Sequence, residues 1–213
     1  ARCRVLRFGE GRDHDVGFDG RRDDEEGQEL TLWQSGRELG RARLSLAGAH
    51  NARNACAALA AFAAAGGDLR DGIGQLAGFA PPRRRLERIA RAGGAQLYDD
   101  FAHHPTAVRH TIETRRGAWG WGGRVVGCVG RRSSGRTRAI VQQPLADALA
   151  GADVVYVGPV HRAERYGPGE GLDVAALVAA LSRTGVQAHG PWEPSRIRDA
   201  VLRERRPGDR IVV

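Results

Sequence analysis

From residue 95 to residue 213 the chain alternates short apolar runs with segments of helical period, and that alternation restricts it to one kind of fold. The runs "RVVGCVG", "DVVYVG", "VQAHG" and "RIVV" read as strands, and helical spacing is expected over 105–116, 138–149, 172–183 and 194–204. Strands that are apolar throughout, separated by amphipathic helices, predict a mostly parallel sheet covered on both faces. The second half is therefore expected to be a Rossmann-like α/β domain. A hairpin, "RLERIARAGGAQLYDD" turning at Gly93-Gly94, should open it. Pro81-Pro82 cannot continue a helix, which places a domain boundary near residue 81 and divides the chain into 1–80 and 81–213.

The first part has a different texture. "CRVLRFG" and "ELTLWQSGRELGRARLSL" alternate apolar with polar residues, with Ser35-Gly36 where a hairpin turn belongs. The charged stretch between them, "GRDHDVGFDGRRDDEEGQ", reads as an exposed loop or a short edge strand. The period then changes. After His50 and Asn51 comes an alanine-rich helix that Gly66-Gly67 should terminate, followed by a short helix in "DLRDGIGQLAGF" with Asp68 as its N-cap. A β-rich and helical module is expected to precede the α/β domain.

Charge and cysteine content narrow the function less than their size suggests. The net charge is +8, yet all 33 basic residues are arginine, a uniformity that points to codon bias. An arginine-rich nucleic-acid module would gather its basic residues on one face with aromatic platforms. Here Trp33, Trp119, Trp121 and Trp192 are dispersed and acids are interleaved, so no nucleic-acid partner is expected. Cys3, Cys56 and Cys128 lack metal-ligand spacing, so neither a disulfide framework nor a metal site is predicted. With no apolar run of membrane-spanning length and no leader-like segment, a cytoplasmic protein without a membrane partner is expected. The absence of methionine and the apolar ending "GDRIVV" suggest a piece of a longer protein.

Four stretches could carry chemistry. "YDDFAHHPT" sets Asp99, Asp100, His103 and His104 between a strand and a helix opening at Pro105, where open α/β sheets bind ligands. A well-capped surface corner would look the same. "GAHNARN" puts His50, Asn51 and Asn54 on one helical turn, and an asparagine amide can pair with the N6 and N7 edge of adenine or simply cap the helix. "RRRLE" offers Arg83, Arg84 and Arg85 as phosphate forks or as a solvated face. "CVGRRSSGRTR" brings Arg131, Arg132, Ser133 and Ser134 to the next strand end, where a carboxylate could dock. No GxxxxGK[ST] is present and there is no lysine, so any ATP phosphates must be held elsewhere.

Taken in order, "GAHNARNACAALAA", "RRRLE" and "YDDFAHHPTAV" resemble the Mur ligase family, the ATP-dependent amide ligases of peptidoglycan synthesis. The resemblance spans about residues 44 to 213. It implies the end of a central ATP-binding domain followed by most of a C-terminal domain. It also implies that Asn54 binds adenine with help from His50 and Asn51, that Arg85 approaches the phosphates, and that Asp100 holds the ribose. His103 and His104 are then placed at the reacting end, with Arg132 and Ser133 on the peptide substrate. "DDFAHHPTA" is nearest to the recycling branch, which joins the murein tripeptide L-Ala-γ-D-Glu-meso-diaminopimelate to UDP-N-acetylmuramate through an acyl phosphate. The branch that adds L-alanine typically has tyrosine and glycine in place of Phe101 and Ala102. Since "GRRSSGRTR" departs from the recycling pattern, a non-catalytic relative is a further alternative. ATP and Mg²⁺ are the implied cofactors, with the phosphate loop and main metal ligands expected before Ala1, so that this stretch alone should not ligate.

Overall fold

The protein is described by a computed structural model that covers residues 5–24, 26–117, 123–130, 139–160, 167 and 169–213. It divides into two compact units, the first running to Pro82 and the second starting at Arg83.

The first unit is a four-stranded sheet backed by helices. Its strands lie in chain order: β1 (Phe8–Glu10), β2 (Val16–Asp24), β3 (Gly27–Gln34) and β4 (Arg37–Leu44). β1 runs parallel to β2 and the rest pair antiparallel. Ser35 and Gly36 both take left-handed φ, 47° and 83°, as a primed hairpin turn requires. The charged stretch expected as loop or edge is instead a nine-residue interior strand, β2. Its first half carries the pattern, with Val16 and Phe18 buried. Its second half keeps charges in a sheet by pairing them, as when Arg43 holds both oxygens of Asp24 at 2.6 and 2.7 Å. Conversely, among the described residues of "CRVLRFG" only Phe8 and Gly9 are in a strand, the start of the three-residue β1, where regular pairing begins.

Helix α1 (Ala49–Ala64) buries Ala52, Ala55, Cys56, Leu59 and Ala60 against Phe18, Leu30, Leu32 and Leu44. Alanine lets helix and sheet approach closely, so this face is small-residued by necessity. The wholly buried Gln28 donates from Nε2 to the carbonyls of Leu46 at 2.6 Å and Gly48 at 3.1 Å, which fixes where α1 begins. Gly66, at φ 90°, and Gly67, whose N–H bonds the Phe62 carbonyl, end the helix. Helix α2 (Leu69–Leu76) starts at Asp68, whose carboxylate accepts from Arg70 N at 2.8 Å.

The second unit is a six-stranded sheet of β5 (Glu87–Ala92), β6 (Ala95–Asp99), β7 (Val125–Val129), β8 (Val154–Val157), β9 (Gln187–His189) and β10 (Arg210–Val212). The spatial order is β5-β6-β10-β7-β8-β9, and only the β5–β6 hairpin is antiparallel. Helices α3 (Pro105–Gly117), α4 (Gln142–Leu149), α5 (Val174–Arg183) and α6 (Pro194–Glu204) cover it. Two cores result from the period of two along each strand. Val125, Val129, Val155 and Val157 pack with Ile112, Leu149, Leu177 and Leu181, while Val126, Val154 and Tyr156 pack on the other face with Ala200 and Ile211. The helix expected over 138–149 begins, among the described residues, with a 3-10 turn at Ala139–Val141 before α4. The helix expected from 172 starts at Val174, because Asp173 caps it by accepting from Ala176 N at 2.9 Å. No helix among the described residues is long and apolar enough to cross a membrane.

Part of the arginine excess is structural. Arg116 donates to the Gly151 carbonyl at 2.7 Å, Arg124 to the Glu204 carbonyl at 2.9 Å and Arg210 to the Arg115 carbonyl at 3.1 Å. Two of these carbonyls belong to the last turns of α6 and α3, and that of Gly151 lies just past the end of α4. Cations there complement the negative end of each helix dipole.

Candidate functional site

β6 stops at Asp99, and the next five residues lead into α3 at Pro105. The backbone holds this corner at the carboxyl end of the sheet: Asp100 N donates to the Val213 carbonyl beside the end of β10 at 3.0 Å, and Val213 N returns to the Tyr98 carbonyl at 2.9 Å. Asp100 is half-buried. Its Oδ1 accepts from Ala102 N at 2.7 Å and its Oδ2 from the Thr111 hydroxyl at 3.0 Å. Burial pushes its carboxyl above the ordinary 3.8, against the lowering pull of Ala102 N–H, Thr111 and the charge of Arg85.

The histidines stand on the outside of the same corner. His103 is exposed, with Nδ1 3.1 Å from the Phe101 carbonyl and its ring 5.1 Å from that of Phe101. His104 is also exposed and accepts on Nδ1 from Thr106 N at 3.3 Å, so it caps α3 and carries its proton on Nε2 when neutral. The capping role and an outward-facing Nε2 are compatible, because they use different nitrogens.

The three consecutive arginines differ. Arg84 is clipped down: its N donates to Glu87 Oε2 at 2.9 Å, its Nε lies 3.2 Å from both oxygens of Asp99, and its guanidinium sits 5.4 Å over the Phe101 ring. Its carbonyl accepts from Phe101 N at 2.8 Å, which ties the arginine loop to the strand-end loop. Arg85 is exposed, and its charge acts on Asp100. Arg85, Asp100, His103 and His104 therefore share one strand-end rim. Arg84, one of the three arginines the sequence offered, and Thr111 belong with them; Thr111 was not singled out by the sequence, since its partner lies 11 positions away.

In the first unit His50, Asn51 and Asn54 occupy the first turns of α1. The Asn51 amide donates to the Ala47 carbonyl at 2.8 Å, so Asn51 is engaged in holding the helix entry. Asn54 is exposed with no side-chain hydrogen bond among the described residues, which leaves its amide open to a ligand. Arg131, Arg132, Ser133 and Ser134 lie outside the described residues. Among the described residues no group of three or more His, Cys, Asp or Glu side chains is placed to hold a metal ion. A cavity of about 440 Å³ lined by Arg116, Arg124, Asp153 and Arg206 lies at the opposite, amino-terminal ends of the strands. Arg116 and Arg124 already hold helix-terminal carbonyls and acids there.

The second unit is an α/β domain with a mostly parallel sheet, and the carboxylate, arginine and histidines stand at the strand ends, the edge where open sheets of this kind bind ligands. Residues 84–213 match the Mur ligase, glutamate ligase domain family. The chain is 34% identical over 180 residues, 84% of its length, to the UDP-N-acetylmuramate–L-alanyl-γ-D-glutamyl-meso-2,6-diaminoheptandioate ligase of Escherichia coli. It is 34% identical over 194 residues, 88% of its length, to the UDP-N-acetylmuramate–L-alanine ligase of Chloroflexus aggregans. It spans 37% and 40% of these relatives' own lengths. The crystal structure of the UDP-N-acetylmuramate–alanine ligase of Thermotoga maritima shares the fold, with a TM-score of 0.73 at 21% identity over 97% of this chain and 43% of that one. The chain belongs to the Mur ligase family.

The raised carboxyl of Asp100 has a measurable consequence. Its folded value lies above its unfolded one, so the native state binds the extra proton and stability falls as pH rises through the folded value. Asp100→Asn is isosteric, and the Thr111 hydroxyl can turn to accept from the amide. The variant is expected to melt above the wild type at pH 7. The advantage should shrink as pH falls through the raised value and vanish below the unfolded one, and a pH series of thermal melts with a constant difference would refute the assignment.

Proposed function

We propose that these residues form the end of the ATP-binding domain, 1–80, and the C-terminal domain, 81–213, of an ATP-dependent amide ligase that joins the murein tripeptide to UDP-N-acetylmuramate. The observation that carries the reading is the strand-end rim of Arg85, Asp100, His103 and His104 in a unit of this family. A half-buried carboxylate held by neutral donors suits the two hydroxyls of a ribose. An exposed guanidinium beside it suits phosphate oxygens, and the open amide of Asn54, on the turn it shares with His50 and Asn51, suits adenine.

Bound ATP would supply the phosphoryl group that activates the muramate carboxylate, and Mg²⁺ would neutralise charge on ligands contributed from outside the described residues. Within this chain, Arg85 offsets negative charge on the phosphates and Asp100 orients the nucleotide. His103 and His104 act at the reacting end, and Arg132 and Ser133, which lie outside the described residues, are assigned to the peptide by the resemblance alone. The wording of "DDFAHHPTA" supports the tripeptide as acceptor. The equal identity to an alanine-adding relative over a slightly larger share of the chain favours L-alanine as the second reading.

The deciding experiment uses the complete ligase with ATP, Mg²⁺ and UDP-N-acetylmuramate, with tripeptide and L-alanine offered in parallel and phosphate release followed. Preference for tripeptide is expected. Preference for L-alanine would establish the second reading, and release with neither would remove the ligase assignment. The 213-residue chain alone is expected to release no phosphate with either acceptor.

A further inference from the structure

Thr111 lies in the second turn of α3, 6% exposed, on the side of the helix that faces the sheet. A threonine inside a helix ordinarily gives its hydroxyl to the carbonyl three or four residues before it. That of Thr111 reaches eleven positions back to Asp100 Oδ2 at 3.0 Å, while Ala102 N–H holds Oδ1 at 2.7 Å. The torsion that turns a carboxylate about its last bond is soft, so an unrestrained aspartate samples a broad range. Here each oxygen is fixed by a different element, the strand-end loop and the helix, and a carboxylate's roughly four acceptor positions exceed the donors the chain supplies to it. Arg85 is the charged group acting on Asp100 from the arginine loop, the Leu86 backbone N–H approaches from the same loop, and His103 and His104 follow in its own loop. We propose that Thr111 is a positioning residue for nucleotide binding, which aims the Asp100 carboxylate at the paired hydroxyls of a ribose. This rests on the reading of Asp100 given above.

The test compares Thr111→Val, which keeps the shape and loses the hydroxyl, with Thr111→Ser, which keeps the hydroxyl. Titration of the Asp100 carboxyl carbon by NMR in the 213-residue chain is one readout. The KM for ATP of the complete ligase, separated from kcat, is the other. Thr111→Val is expected to move the Asp100 titration upward and raise the KM for ATP about tenfold. At saturating ATP its kcat should stay within about twofold of the wild type. Thr111→Ser should restore both. If the valine variant melts below the assay temperature, Thr111→Ala gives the same readouts. An unmoved Asp100 titration overturns the proposal. So does an unchanged KM in Thr111→Val when Asp100→Ala raises it. If Asp100→Ala itself leaves the KM for ATP unchanged, the ribose reading is what fails, and the proposal falls with it.

Discussion

Asp209→Ala is expected to lower the stability of the second unit by up to about 3–5 kcal/mol, the cost of removing one partner from a buried ion pair, reduced to the extent that water reaches the partly exposed Arg124. Asp209 is 1% exposed. Its Oδ1 accepts from Arg124 Nε at 3.1 Å, and its Oδ2 accepts from Arg124 Nη2 at 2.7 Å and from Arg206 N at 2.8 Å. Alanine would leave a largely covered guanidinium with only the Glu204 carbonyl and would orphan a backbone N–H. The position matters as much as the count. Asp209 leads into β10, the interior strand between β6 and β7, and its own carbonyl accepts from Gln96 N at 2.8 Å. For a protein of this size the melting temperature should drop by roughly 6–20 °C. A double replacement, Asp209→Leu with Arg124→Met, should recover part of the loss, because no unpaired charge remains. A single variant that melts within a degree or two of the wild type would show that water already satisfies the pair. Since β10 leads to Val213, whose carbonyl holds Asp100 N, the same variant should also loosen the strand-end rim.

The second unit was largely legible because its strands are buried on both faces and read as continuous apolar runs. The order of those strands was not. Periodicity identifies "RIVV" as a strand but says nothing of its neighbours, and the last strand in sequence is an interior one. β2 was hidden for a different reason: its charges at Arg21, Asp23 and Asp24 are paired along the strand or across the sheet, which a linear reading cannot distinguish from solvation. The strand-end positions of Asp100, His103 and His104 followed from Pro105 opening a helix after an apolar run. Thr111 was silent and Arg84 could not be told from Arg83 and Arg85, since what distinguishes each is a partner on another element. A clue existed in α3, where a polar residue at 111 falls beside Ile112 on the buried side of the helix. Asn51 shows the converse, a residue whose type fits adenine but whose amide is engaged with the Ala47 carbonyl.

That distinction between neighbours yields the second large effect. If the proposed ligase reading holds and Arg85 meets the phosphates, Arg85→Ala in the complete protein is expected to reduce kcat/KM by about 10²–10³-fold, the usual loss when a donor to developing negative charge is removed. The folded chain should melt unchanged, because Arg85 is exposed. Arg84→Ala should behave in the opposite way. Its exposed pair with Asp99 contributes about 0.2–1 kcal/mol. Its backbone and that of Leu86 take left-handed φ values of 63° and 50°, a conformation that costs non-glycine residues about 1–3 kcal/mol each. The Glu87 and Phe101 contacts hold the loop in that shape, so the loop presents Arg85 rather than Arg84 beside Asp100. Arg84→Ala should therefore lower the melting temperature slightly and weaken activity less than Arg85→Ala does. Arg85→Lys should recover only part of the rate, since a lysine is a point charge and cannot reproduce a two-pronged contact with phosphate. Full activity in Arg85→Ala, with loss in Arg84→Ala, would transfer the phosphate role to Arg84 and make the clip to Asp99 a resting contact that ATP displaces.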